Sequence, residues 1–181
     1  MITIDRERPF DGAAIEALLD SAFGPERVTK SSYALRENNH PVPSLSFVAR
    51  QDERLVGTIR FWPIQVQDML SGRRLDALLL GPLAIAPDLQ GKGTGGQLMA
   101  RGVAAANAEG HQRILLVGDI GYYSKFGFEP VLPRYITLPG GKDARRLLVR
   151  QPATISSLPT VGKLVVPAPV PAIHMPVPLV A

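Results

Sequence analysis

Cysteine is absent from all 181 residues. That one gap excludes a disulfide framework, thiolate zinc sites and a cysteine nucleophile, and it fits a reducing, cytoplasmic setting. The first ten residues, Met1 to Phe10, are charged and hold no apolar stretch, so no secretory signal is visible. Long basic runs are missing as well. Twenty Lys and Arg against 16 Asp and Glu give a net charge of +4 and a pI near 9.7. The cations are scattered and carry no interleaved aromatics, so a small polyanion is a more economical partner than nucleic acid. The three histidines, His40, His111 and His174, share no metal-ligand spacing, so no metal is expected.

Glycine and proline are plentiful, 17 of each, yet 45% apolar and 20% charged residues are the values of a packed chain rather than a disordered one. The length suits one domain with a real core. Ten glycines fall between Gly81 and Gly127, and seven prolines fall after position 150. The chain therefore reads as a glycine-rich centre followed by a proline-rich tail.

Ahead of the centre, Asp11 to Phe23 has apolar residues at helical spacing, with Asp11 as a cap and Gly24-Pro25 as a stop. A shorter helix is expected over Ser31 to Asn38. Leu45 to Arg50 and Arg54 to Gln67 read as antiparallel strands joined through Gln51-Asp52-Glu53, and Arg73 to Ile85 as a third strand, buried on both faces from Ala77 onward. Thr94 with Gln97 matches a capping box at the start of an Ala-rich helix that ends at Gly110. Arg113 to Val117 follows as a strand, parallel to the previous one if the crossover is right-handed. Gly121 to Phe126 reads as a short helix, and the last strands lie near Tyr135 to Thr137 and Arg146 to Arg150.

The glycine loop, Gly91-Lys92-Gly93-Thr94-Gly95-Gly96, sits between a strand and a helix N-terminus, where backbone N–H groups and the helix dipole favour an anion. A P-loop needs Lys and Ser or Thr where Gln97-Leu98 stands, so that reading fails. Gly91, Gly93 and Gly96 satisfy G-x-G-x-x-G, and Asp119 lies 23 residues beyond Gly96. A doubly wound dinucleotide fold is opposed by the four residues Pro87 to Gln90 before the first glycine, and by room for only one further parallel strand.

A third reading covers more of the chain. The segment Leu83 to Gly95, with Gln90, Gly93 and Gly95 at the pattern positions Gln/Arg-x-x-Gly-x-Gly/Ala, resembles the acyl-CoA signature of the GNAT N-acetyltransferase superfamily. Tyr123-Ser124-Lys125-Phe126-Gly127-Phe128 resembles its second hallmark, Tyr-x-x-x-Gly-Phe. Within the superfamily, Gly81 to Ile85 and Leu115 to Asp119 most resemble the bacterial YhbS-like group. The resemblance covers roughly residues 1–150 and implies an α/β fold, α+β by segregation. In it a central mixed, mostly antiparallel sheet carries two splayed parallel strands and is flanked by helices.

The implied reaction is acetyl transfer from acetyl-CoA to a primary amine through a tetrahedral intermediate. The alternative is a silent acyl-CoA sensor. In the enzyme reading, backbone amides of Gly91, Lys92, Gly93, Thr94, Gly95 and Gly96 cradle the pyrophosphate beside Gln90, and Lys92 is either a phosphate contact or a solvated loop lysine. The edge of Leu83, Ala84 and Ile85 takes the pantetheine arm like an added strand, and Gly81-Pro82 marks a bulge that starts the splay. Tyr123 aligns as general acid to the CoA sulfur, while Tyr122 packs or lines the acceptor pocket. Many relatives place a carboxylate base on or near the strand before the loop, but Ala77 to Ala86 has none. Asp119 is the candidate for base or acceptor binding, with turn capping or a water relay as the alternatives. Phe23, Tyr33, Phe61, Trp62 and Arg134 are offered to the acceptor or to the core.

Residues 151–181 form an apolar, Pro-rich extension. Leu164 to Ala181 carries no formal charge, but Pro167, Pro169, Pro171, Pro176 and Pro178 break any membrane helix. A strand near Gly162 to Val166, then an extended segment packed over the body or over a second copy in a homodimer, is expected.

Overall fold

Apolar side chains that alternate between two faces need cover on both, and this sheet has it. In the computed structural model, which describes residues 1–141 and 144–168, β1 (Ile2–Arg6) leads into α1 (Gly12–Phe23). β2 (Phe47–Gln51), β3 (Arg54–Asp68) and β4 (Arg74–Ile85) follow, then α2 (Thr94–Ala108), β5 (Ile114–Val117) and α3 (Ile120–Tyr123). β6 (Glu129–Pro130), β7 (Tyr135–Thr137), β8 (Leu147–Arg150) and β9 (Val161–Val165) complete the described chain.

The strands lie in the order β1-β2-β3-β4-β5-β8-β6, with β9 paired to both β3 and β7. Pairing is antiparallel except for β4 with β5 and β7 with β9. Phe61, Leu78, Leu80, Ile114, Leu116 and Leu148 face one core with α1 and α2; Trp62, Leu79, Leu115, Leu147 and Val149 face the other. The alternation of period two explains why β4 and β5 read as continuous apolar runs.

The 15-residue β3 is the spine of the sheet. Its edge opposite β4 is shared, with β2 on Arg54 to Ile59 and β9 on Gln65 to Asp68. Pro63, which cannot donate to a ladder, falls in the gap between those partners. There the Asn39 side-chain amide donates to the Pro63 carbonyl at 2.8 Å and to the Leu35 carbonyl at 2.9 Å.

Several local expectations are corrected. Ser31 to Asn38 is a chain of turns, with Tyr33, Arg36 and Asn39 N–H groups donating three residues back. So short a segment cannot sustain a helix alone, and Leu35 is its one fully buried apolar anchor. The Asp11 carboxylate does not cap α1; it accepts from the Arg8 N–H at 2.8 Å and pairs with Arg50. The capping box is absent too, because the N-cap of α2 is Gly93 at φ +89 and Thr94 is the first, buried residue of the helix. The short helix ends at Tyr123 and tightens to a 3₁₀ turn over Ser124–Phe126. The strand β9 lies in the sheet as the pattern at 162–166 implied, whereas the expected course of residues 169–181 lies outside the described residues.

α2 presses closely on the sheet at Gly102, where an added Cβ would stand 2.6 Å from a ring carbon of the fully buried Phe61. Gly102→Ala is expected to lower stability by roughly 1–2 kcal/mol in urea unfolding, because overpacking outweighs the gain in helix propensity. A gain in stability would show that the Phe61 ring has room to move.

Candidate functional site

The site begins where two strands part. β4 and β5 are in parallel register only at Leu78–Ile114 and Leu79–Leu115. On the other side of β4, Leu83 pairs with Ile59 and Leu80 with Phe61, so Gly81 and Pro82 together oppose Arg60 as a bulge. Gly81 holds φ +131, and its carbonyl accepts from the Trp62 indole N–H at 2.6 Å. Beyond the bulge, Leu83 to Ile85 stay paired to β3 while their far edge has no strand neighbour among the described residues. The parting opens a cleft between β4 and the turn that follows β5.

One cavity of about 420 Å³ lies along that edge, floored by Leu83, Ala84 and Ile85 and walled by the glycine loop. Gly91 at φ +75 and Gly93 at φ +89 hold left-handed backbone that a side chain would strain. With no side-chain cap at Gly93, the first-turn N–H groups of α2 lack the side-chain acceptor that the Thr94–Gln97 capping box would have supplied. A helix N-terminus left open toward a cavity suits a phosphate. Gln90 lines the cavity and donates to the Ile85 carbonyl at 3.2 Å.

A second cavity, about 410 Å³, meets the first at Phe23, Leu83, Tyr122 and Tyr123. The Asp119 N-cap accepts from the Gly121 N–H at 2.8 Å and sets the two tyrosines at this junction. Their rings pack edge to face, with centroids 4.9 Å apart, and Tyr123 also packs against Phe128. Gly118 is required here, since a Cβ would come within 2.3 Å of the Tyr123 ring. Burial pushes the Tyr123 phenol up to about 12, with Tyr122 adding to the shift and Arg146 opposing it. Burial raises Tyr122 as well. Tyr123 therefore stays protonated at any working pH.

Comparison with known proteins decides what this architecture is. The model of the acetyltransferase (GNAT) family matches residues 13–128. Escherichia coli K12 YhbS, named an uncharacterized N-acetyltransferase, is 34% identical over 124 residues, covering 68% of this chain and 71% of that protein. The chain belongs to the GNAT acetyltransferase family. The crystal structure of E. coli YhbS in complex with CoA superposes with a TM-score of 0.72 at 28% identity, over 90% of this chain and 88% of that one. A Brucella melitensis GNAT acetyltransferase in complex with acetyl-CoA gives 0.66 at 27% identity, over 93% and 97%.

Within this GNAT domain, Leu83, Ala84, Ile85, Gln90, Gly91, Gly93, Thr94, Gly95, Gly96 and Tyr123 all line the first cavity. Lys92 does not; it is exposed and lies close enough to Asp88 to favour that carboxylate's charge, after Arg54. Asp119 lines the second cavity, not the first, and also borders a smaller one of about 230 Å³ with Arg145 and Arg146. Of the acceptor candidates, Phe23 and Tyr33 reach that cavity, Phe61 is core, Trp62 serves Gly81, and Arg134 donates to the Leu158 carbonyl. Sequence reasoning missed Lys125, whose ammonium sits 4.1 Å from the Tyr122 ring centroid, and the basic lining of the second cavity. Lys125 falls inside the quoted hallmark, and its position two residues after Tyr123 was the available signal.

The buried phenol gives a direct check. In an alkaline titration followed by phenolate absorbance, a late step near pH 12 should vanish in Tyr123→Phe. If the variant keeps that late step, Tyr123 is not the most deeply buried phenol.

Proposed function

We propose that the chain transfers an acetyl group from acetyl-CoA to a primary amine, with the donor in the first cavity and the acceptor in the second. The observation that carries this reading is the meeting of the two cavities at Tyr123. The glycine-loop amides and the α2 N-terminus hold the pyrophosphate, and the free edge of Leu83 to Ile85 hydrogen-bonds the pantetheine arm. The thioester then lies at the junction. The CoA and acetyl-CoA complexes of the two similar structures support this donor assignment.

The amine lone pair attacks the thioester carbon, the tetrahedral intermediate collapses, and the C–S bond breaks. Tyr123 donates to the departing sulfur. A phenol near 12 is a weaker acid than a thiol near about 8.5, so it stabilises the thiolate chiefly as a hydrogen-bond donor and yields its proton only as it is resupplied. The amine proton goes to Asp119, the carboxylate that lines the acceptor cavity, or to a water it orders.

Thiol release from acetyl-CoA across a panel of primary amines tests this. Tyr123→Phe should lower kcat by about 100-fold while changing KM for acetyl-CoA little, within the usual range for a lost acid catalyst. Asp119→Asn keeps a good N-cap but removes the charge, and should cost about tenfold or more in kcat. Because Tyr123 ionises only near 12, kcat/KM should rise as the amine deprotonates and show no fall up to about pH 9. If acetyl-CoA binds but no amine accelerates thiol release, the protein is a sensor rather than a transferase.

A further inference from the structure

The second cavity contains a cation without a counter-charge. Arg27, Arg36 and Arg60 cluster beside it, and two of them are paired. Arg27 binds Glu16 at 2.6 Å and Asp20 at 2.9 Å, and Arg60 binds Glu7 at 2.6 Å and Glu16 at 3.7 Å. Arg36 pairs with no carboxylate among the described residues, and its buried Nε has no hydrogen-bond acceptor.

The guanidinium lies 4.4 Å from the Tyr33 ring centroid and 5.8 Å from that of Trp62. An Nη atom would stand 3.1 Å from a Cβ built on Gly81, which places the group against the bulge that opens the cleft. Aromatic faces and a packed backbone hold the group in place without neutralising it. Burial lowers its pKa to about 10, offset in part by Tyr33 and reinforced by the charges of Arg60 and Arg27. A desolvated cation of this kind is costly unless something completes it.

Arg36 lines the same 410 Å³ cavity as Asp119 and the tyrosine junction, and so do Lys30 and Arg146. We propose that the acceptor is a small amine that also carries a carboxylate, with Arg36 binding the carboxylate while the amine reaches Tyr123. This rests on the transfer reading, which makes the cavity an acceptor site. A planar guanidinium already oriented by two aromatic rings matches a carboxylate's paired oxygens. Polyamines and other polycations meet four cationic side chains on the lining, of which Arg27 alone is ion-paired among the described residues, and are disfavoured.

The test compares L-amino acids and dipeptides with their C-terminal amides, and with spermidine, as acceptors. Binding of the N-acetyl amino acids and their amides to CoA-loaded protein is measured alongside. Carboxylated probes should exceed their amides by at least about tenfold in kcat/KM and in affinity, as expected for a charge-assisted pair. Arg36→Met should reduce that ratio to within about threefold, chiefly through KM, and Arg36→Lys should restore part of it. Amides or spermidine used as well as the acids, with binding equally indifferent to charge, would overturn the inference and leave the transferase intact. Charge-selective binding that Arg36→Met abolishes, with no turnover of any amine, would support the carboxylate site while the transfer reading falls. The wild-type comparison stands even if a variant does not fold.

Discussion

Parallel pairing between β4 and β5 lasts for Leu78 and Leu79 alone, and the bulge at Gly81 and Pro82 follows within two residues. Pairing has to end somewhere in any sheet, but here both strands continue into buried structure after it ends. β4 is held on its other side by β3 to Ile85, so it cannot swing back to close the gap. β5 is held by β8 through all four of its residues. Two well-anchored strands that diverge leave a cleft between them, and on one wall the edge of Leu83 to Ile85 has no strand partner among the described residues. Both cavities grow from that divergence.

The glycine loop has value only because of where the divergence puts it. Gly91 and Gly93 supply left-handed backbone, and α2 starts without a side-chain cap. Either feature alone is common. Together, facing a cavity whose floor is an open strand edge, they suit an anion beside an edge that can hydrogen-bond an extended ligand arm. At the far end, Asp119 caps the short α3 turn and Gly118 makes room for the Tyr123 ring, which fixes the phenol at the junction.

Much of this was legible in the sequence, for identifiable reasons. The glycine loop and the Tyr-x-x-x-Gly-Phe segment are local patterns; the loop apart from Lys92, and Tyr123 with Lys125 of the second segment, line the first cavity. The bulge was signalled by Gly-Pro inside an apolar strand. Other features were hidden because they depend on tertiary partners. Thr94 has a capping residue's chemistry, but it is drawn into the core one position too late to cap. Ser31 to Asn38 has helical composition but too few buried anchors to hold a helix. Arg36 reads as an ordinary surface arginine until Tyr33, Trp62 and Gly81 are seen around it, since its lack of a partner is a property of the fold.

The open edge of β4 and the glycine loop are proposed to form one continuous donor site. Hydrogen exchange with and without acetyl-CoA addresses it at the level of individual amides. A single continuous site requires slowed exchange at Leu83 to Ile85 and at Gly91 to Gly96 together. Protection confined to one of these segments, or appearing only around residues 27–36, would contradict it.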